Sequence, residues 1–134
     1  MNLVLVFFCN LCIVTILYET TATCTIYGSK EPGDELLHHE HVFRAPHGQV
    51  AQSYDVVFPK KGKRNEKVIT AIVASDLSPR NNATTSIKSG GPGKNYVTVH
   101  LKALPRKFMN YIILIYGRIS EANLDNLVKG RSKL

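Results

Sequence analysis

Segment 38–41 reads His-His-Glu-His and carries the side chains most able to bind a metal ion. In a strand, successive side chains point to opposite faces, so His39 and His41 would share one face. Two histidines supply half of a tetrahedral zinc site, and Cys24 or His47 would have to complete it. Solvated strand histidines are the simpler interpretation, and we predict no metal site and no cofactor.

A second group of reactive side chains is the basic cluster Lys60, Lys61, Lys63 and Arg64. Clustered cations attract anions such as nucleic acid, acidic glycans and lipid headgroups. Because no aromatic residue is interleaved in segment 60–67 to stack on bases, we expect no nucleic-acid partner. A solvated loop is the simplest interpretation of the cluster, and binding of an anionic glycan or lipid headgroup is the functional one.

The third candidate site is the sequon Asn82-Ala83-Thr84, which lies in the polar stretch 78–85. An Asn-x-Thr sequence accepts N-linked glycan only in a chain that is exported, and on a surface loop. The sequence predicts glycosylation at Asn82 if the chain enters the secretory pathway.

The sequence contains few features that indicate catalysis. The block Gly90-Gly91-Pro92-Gly93 lacks the Gly-Lys-Ser/Thr ending of a phosphate-binding loop, and it precedes a candidate strand rather than a helix. Glycine permits positive φ and proline fixes φ near −65°, so a tight structural turn explains the block. There is no Gly-x-Ser-x-Gly nucleophile motif and no evident pair of carboxylates. We predict that the protein is not an enzyme.

The N-terminal segment determines the expected compartment. Residues Leu3 to Leu17 form an almost unbroken apolar run that small residues follow, as in a secretory signal peptide cleaved after Ala22. The run is shorter than the roughly 20 apolar residues of a membrane span, so we expect no stable membrane insertion; an uncleaved anchor is the alternative. The predicted location is extracellular.

Composition after cleavage describes a small basic domain. The chain of 134 residues has a net charge of +7, and 112 residues remain after Ala22. Cys24 is the only cysteine in that part, so no intrachain disulfide can form and a hydrophobic core must hold the fold. Cys24 could pair with a second chain.

The elements that would position these residues are short β-strands separated by Gly, Pro and Asn. Such a pattern predicts a single antiparallel β-sandwich of about six to seven short strands, with a possible short C-terminal helix. Segments 68–75 and 111–116 are apolar on both faces, as central strands are. Ser120 would cap the helix and Gly130 would end it. The candidate strands are Leu36–Phe43, Gln49–Phe58, Val68–Ser75, Thr84–Ser89, Tyr96–Ala103 and Tyr111–Tyr116, and the candidate helix is Ser120–Val128.

Several motifs occur in an order and spacing that resemble the multiprotein bridging factor 2 family of insects and related arthropods. The resemblance runs from about Gly33 to Arg118, and the extension beyond Arg118 departs from the family pattern. It rests on Gly33-Asp34-x-Leu36, Val56-Val57-Phe58-Pro59, Ile69-Thr70-Ala71-Ile72-x-Ala74-x-Asp76, the sequon at Asn82, Ser89-Gly90-Gly91-Pro92-Gly93 with the strand that follows, and Ile115-Tyr116-Gly117-Arg118.

The resemblance implies two different functions. The family takes its name from a transcriptional co-activator that bridges a nuclear receptor-type activator to general transcription factors, yet many relatives begin with signal peptides. We therefore expect a signal peptide (1–22), a β-sandwich domain (23–118) and a basic C-terminal extension (119–134). The expected function is that of a secreted, non-enzymatic binding protein of haemolymph, saliva or venom, whose partner is an unknown extracellular protein or anionic glycan. The alternative is the transcriptional co-activator, which alone would bind transcription proteins.

Overall fold

A computed structural model describes residues 22–131, and the predicted signal peptide lies almost wholly outside that part. The described chain forms seven strands, one single-turn 3-10 helix at Pro79–Asn81, and one α-helix. The strands are β1 (Thr23–Gly28), β2 (Glu35–Arg44), β3 (Gln52–Phe58), β4 (Val68–Asp76), β5 (Thr84–Gly90), β6 (Val97–Ala103) and β7 (Met109–Arg118), and the helix is α1 (Glu121–Arg131).

The strands form two antiparallel sheets. A four-stranded sheet has the order β1-β4-β7-β2, and a three-stranded sheet has the order β3-β6-β5. Side chains from both sheets meet in one core, as Val56 and Val99 of the small sheet pack with Ile113 of the large one. The predicted antiparallel sandwich is confirmed.

Strand β1 is the element that sequence patterning missed. It pairs with β4 at the edge of the large sheet, with Thr23 opposite Asp76 and Gly28 opposite Ala71. Only Tyr27 of this strand is partly buried. An edge strand with little burial carries too few core residues to show a clear alternation of apolar and polar positions.

Strands β4 and β7 are the central strands of the large sheet, as their apolar sequences predicted. Their inner faces are fully buried, with Ile69, Ile72, Ile113 and Ile115 each at 0% exposure. Their outer faces are only half-buried, because no second layer of described residues covers that side completely.

Helix α1 begins as predicted and ends later than predicted. The Ser120 side chain accepts a hydrogen bond from the Asn123 N–H, so Ser120 is the N-cap. The helix continues through Gly130 to Arg131, so the prediction that Gly130 ends it is wrong. Leu124 and Val128 are 52% and 63% exposed, so these two apolar side chains of the helix are not buried. No helix among residues 22–131 is long and apolar enough to cross a membrane.

A candidate anion-binding cleft

The predicted anion-binding cations lie in the loop between β3 and β4, residues 59–67. The loop leaves β3 through a cis Phe58–Pro59 peptide bond and reverses at a turn in which the Lys63 N–H donates to the Lys60 carbonyl at 2.9 Å. Gly62 has φ +81° at this turn, a conformation that glycine adopts without strain. The turn projects Lys60, Lys61, Lys63 and Arg64 into solvent, and all four are exposed.

Two asparagines hold the end of this loop against the neighbouring connection between β5 and β6. The Asn65 side-chain amide donates to the carbonyls of Lys67 at 2.7 Å and Asn95 at 2.9 Å. The Asn95 amide donates back to the Asn65 carbonyl at 3.2 Å. These reciprocal bonds fix the position of the basic loop.

Helix α1 forms the opposite wall of a cleft beside the loop. Its first turn reaches the loop through the Asn123 amide, which lies 3.5 Å from the Glu66 carbonyl. The open cleft between them has a volume of about 780 Å³. We call it the loop–helix cleft, and its lining residues are Pro59, Lys63, Arg64, Asn65, Glu66, Asn95, Tyr96, Ile119, Asn123 and Asn126.

The chemistry of this lining is cationic, amide-rich and partly aromatic. Lys63 and Arg64 form no ion pair with a described residue, and with the one acidic lining residue, Glu66, they leave the lining with a net positive charge. Tyr96 is 46% exposed and adds an aromatic side chain to the lining of the same cleft. Carboxamides donate to and accept from hydroxyl groups, and cations bind carboxylate or sulfate. The lining therefore suits a polar ligand with hydroxyls and negative charge.

Sequence reasoning found the cations and missed the other walls. Segment 60–67 has no aromatic residue, but the fold brings Tyr96 to it from the position just before β6. The amides of Asn95, Asn123 and Asn126 likewise come from distant positions. Nothing in their local sequence marks them as cleft residues, because only the packing of three connections places them together.

A second open cleft of about 790 Å³ lies on the other side of the basic loop, against β2. Lys60, Lys63 and Arg64 line it together with His38 and His39. The Lys60 ammonium lies 3.9 Å from the Glu40 carboxylate. Of the four predicted cations, Lys63 and Arg64 border both clefts, Lys60 borders the second, and Lys61 is exposed on the turn.

The histidine-rich segment of β2 divides between the two faces of the sheet. His38 lies 3.0 Å from Glu40, whose carboxylate also accepts a hydrogen bond from the Tyr54 hydroxyl at 2.9 Å. Because only the neutral phenol can donate this hydrogen bond, the bond raises the pKa of Tyr54. His41, on the outer face, lies 2.7 Å from the Asn110 amide oxygen. Among residues 22–131, no three His, Cys, Asp or Glu residues are grouped so as to hold a metal ion.

Asn82 lies on the surface, between the 3-10 turn and β5. It is exposed and has φ +51°, in the left-handed region that asparagine tolerates better than most residues. Thr84 of the sequon is also exposed. The side chain is therefore accessible to a glycosyl donor.

The Gly90–Gly93 block lies in the connection between β5 and β6 of the small sheet and is hydrogen-bonded to the large sheet. The Gly93 N–H donates to the Ile69 carbonyl at 2.8 Å, and the Ile69 N–H donates to the Lys94 carbonyl at 2.8 Å, so the turn after β5 is bonded to β4. A Cβ at Gly90 would lie 2.1 Å from the Tyr96 carbonyl oxygen, and Pro92 packs against Gly28 of β1. These contacts describe a structural turn.

The Tyr116-Gly117-Arg118 motif also packs against distant parts of the chain. The Lys30 ammonium lies 4.4 Å from the centre of the Tyr116 ring, and a Cβ at Gly117 would lie 2.3 Å from the Val68 carbonyl oxygen. The Arg118 guanidinium donates to Glu31 at 2.8 Å and lies 3.8 Å from Asp34. The motif thus ties the end of β7 to the β1–β2 turn.

A further ion pair lies on the outer face of the small sheet. Asp55 is bonded to Lys88 at 2.7 Å and lies 2.5 Å from His100 on the neighbouring strand. The bond from Lys88, followed by that from His100, lowers the pKa of Asp55. Ser86 lies opposite His100 on β5. Lys88 binds the second oxygen of the Asp55 carboxylate. The arrangement is a cross-strand ion pair.

Fold and site together define a small β-sandwich with a basic loop beside an open cleft. The family model of the transcription activator MBF2 matches residues 27–117, and the chain belongs to this family, multiprotein bridging factor 2 (MBF2). The match runs from Tyr27 in β1 to Gly117 in β7, and α1 lies beyond it. No curated protein and no solved structure matched the chain.

Proposed function

We propose that this protein is a secreted, non-enzymatic binding protein that takes an anionic glycan in the loop–helix cleft. The observation that carries the proposal is the lining of that cleft, where Lys63 and Arg64 lie beside four asparagines and Tyr96. The apolar run at 3–17 supports export. Export gives a basic protein access to sulfated and carboxylated glycans, which are the common polyanions outside cells.

A sugar matches this lining better than a simple phosphate does. Sugar hydroxyls suit carboxamides, which both donate and accept hydrogen bonds. The apolar face of a sugar ring suits an exposed aromatic side chain such as Tyr96, and sulfate or carboxylate groups suit Lys63 and Arg64. An open cleft of about 780 Å³ has room for a short oligosaccharide.

Binding of a heparin-derived hexasaccharide to the secreted protein, measured calorimetrically at several salt concentrations, tests the site. We expect Lys63→Gln combined with Arg64→Gln to weaken binding at least about tenfold, which corresponds to about 1.4 kcal/mol. Tyr96→Ala should weaken it without changing the salt dependence, because it removes no charge.

A matched control separates a built site from net charge alone. Lys102→Gln combined with Lys107→Gln removes the same two charges from exposed positions outside the cleft. This control should lose much less affinity. Equal losses in the two double variants, or tighter binding of a single-stranded oligonucleotide of equal charge, would contradict the glycan site.

The description of the matching family favours a second candidate function, transcription activation. Under that function the chain would bind transcription proteins in the nucleus. The two candidates require different compartments, so expression of the full chain in insect cells distinguishes them. We expect protein in the medium that an N-glycosidase shortens, with the shift abolished by Asn82→Gln.

Retention of unglycosylated protein in the nucleus would contradict the secreted function and support transcription activation. Protein in the medium that does not shift would leave secretion standing and remove glycosylation from the proposal.

A further inference from the structure

The outer face of the four-stranded sheet carries a largely apolar surface, which we call the outer apolar face. Ile26 and Phe43 are 60% exposed, Leu36 is 52% exposed and Leu77 is 42% exposed. Val73, Ile112 and Leu114 lie between them and are half-buried. Surfaces of this kind on a small protein mark sites of association.

Strand register arranges this face in rows that cross the sheet. One row is Cys24, Ser75, Ile112 and His41, and the next is Ile26, Val73, Leu114 and His39. On the other side of the Cys24 row lie Asn110 and Phe43, beside Leu77, whose N–H donates to the Asn110 carbonyl. Apolar side chains therefore flank the Cys24 row on both sides.

Charge argues for a second copy of this chain as the occupant. The chain has 17 Lys and Arg residues, yet these three rows contain none. Lys30 and Arg118 lie at the Tyr116 end of the face, and Arg44 follows Phe43 at the other end. Two copies of a basic protein repel each other except through a face without cations, whereas an acidic partner would be drawn to the basic surfaces.

We propose that two copies pack these faces together about a two-fold axis along the Cys24 row, and that Cys24 forms a disulfide with the same residue of the second copy. Rotation about this row places Val73 of one copy over Leu77 of the other, and Ile112 over its own equivalent. Symmetric pairing of one patch with itself is the usual geometry of a homodimer. A disulfide between two packed sheets has a precedent in immunoglobulin domains.

The position of Cys24 suits such a bond. It is exposed, lies on the edge strand of the face, and its sulfur accepts a weak hydrogen bond from the Ser75 hydroxyl at 3.7 Å. Two thiols form one disulfide by exchange with the disulfide of a secretory-pathway oxidoreductase, which takes up the two protons and two electrons and becomes a dithiol. This covalent step rests on the proposed secretion, whereas packing of the two faces does not.

The area of the face explains why a covalent bond would be needed. Four strands about 4.8 Å apart and three rows about 6.7 Å apart give a face of roughly 400 Å² in projection. Stable complexes bury about 800 Å² on each partner, so this face alone supports a weak dimer. A disulfide holds the two copies at a high effective concentration and makes such a dimer permanent.

Sedimentation and non-reducing gels on the purified protein, at about 1–100 µM, test the proposal. We expect the wild type to run at twice the monomer mass without reductant, and Cys24→Ser to show a reversible, concentration-dependent dimer. In the Cys24→Ser background, Ile26→Lys should weaken association at least about tenfold (about 1.4 kcal/mol). Val57→Lys is the matched control, because Val57 is 48% exposed on the outer face of the other sheet and should leave association unchanged.

Thermal melting of each variant checks that the fold is intact, since both lysines replace exposed side chains. A wild type that stays monomeric with a free thiol, or a Cys24→Ser variant that is monomeric at 100 µM, would overturn the proposal. Equal effects of Ile26→Lys and Val57→Lys, or binding of the monomer to neutral phosphatidylcholine vesicles through Ile26, would do the same.

Discussion

At the scale of single residues, two positions that carry the family resemblance form one structural cluster. The Asp34 carboxylate accepts hydrogen bonds from the Glu31 N–H and the Thr70 hydroxyl, both at 2.7 Å. Arg118 lies 3.8 Å from its other oxygen. The bond from Glu31, then that from Thr70, lowers the pKa of Asp34. Asp34 and Arg118, 84 positions apart in sequence, thus fasten the β1–β2 turn to the end of β7.

This cluster predicts acid sensitivity. A carboxyl whose pKa is lower in the folded state contributes stability that is present above about pH 4 and is lost as pH falls through the folded-state pKa. We expect Asp34→Asn to lower the melting temperature at pH 7, and the gap to the wild type to narrow as the pH falls below about 4. Calorimetric melts at several pH values measure this.

Asp125→Asn serves as the control, because Asp125 is exposed on α1. It should melt like the wild type at each pH. A gap between Asp34→Asn and the wild type that does not change with pH would show that the Asp34 charge contributes nothing to the cluster.

At the scale of elements, the two faces of the central strands have different roles. Segment 68–75 is apolar on both faces, but Val73 is only half-buried and lies on the outer apolar face, opposite Ile26 and Leu114. Ile113 of β7 is in the core at 0% exposure. The inner face stabilises the fold, and the outer face is available for association.

A pair of charge substitutions separates these roles. Ile113→Asp buries an unpaired carboxylate and should prevent folding and secretion. Val73→Asp should cost only about 1–2 kcal/mol, because its carboxylate can reach water on the outer face. Far-ultraviolet circular dichroism and chemical denaturation of dilute, reduced protein give both values. Equal loss of structure in the two variants would contradict the assignment of the faces.

At the level of the complete chain, the sandwich and the C-terminal helix both line the loop–helix cleft. The family match ends at residue 117, before α1 begins at Glu121. The side chains of 121–126 and 128–131 are exposed, so the helix adds little to the core. It does add Asn123 and Asn126 to the loop–helix cleft.

Ending the chain after Arg118 should therefore leave stability within about 1 kcal/mol of the full chain, since few buried contacts are lost. The truncated protein should bind the hexasaccharide several-fold more weakly. Asn123→Ala combined with Asn126→Ala should reproduce much of that loss with no change in net charge. A truncated chain that fails to fold would instead make α1 part of the domain.

The sequence alone determined the class of fold and the positions of most strands. Patterns that repeat over neighbouring residues, such as the alternation in β6 and the apolar runs of β4 and β7, are local and can be seen without knowledge of partners. The turn glycines at 90–93 and the Ser120 cap are local in the same sense. The start of β3 was predicted at Gln49 and lies at Gln52, because strand ends depend on pairing with β6.

Contacts between residues far apart in sequence determine what those elements bring together. The short edge strand β1 is a strand because β4 pairs with it, and its own residues carry a weak pattern. Tyr96 and Asn123 line one cleft with Arg64 only because the β3–β4 loop, the β5–β6 connection and helix α1 pack together. Contacts between residues far apart in sequence assemble the predicted cations into a candidate site and leave the outer face of β4 and β7 open. No local sequence pattern records such contacts.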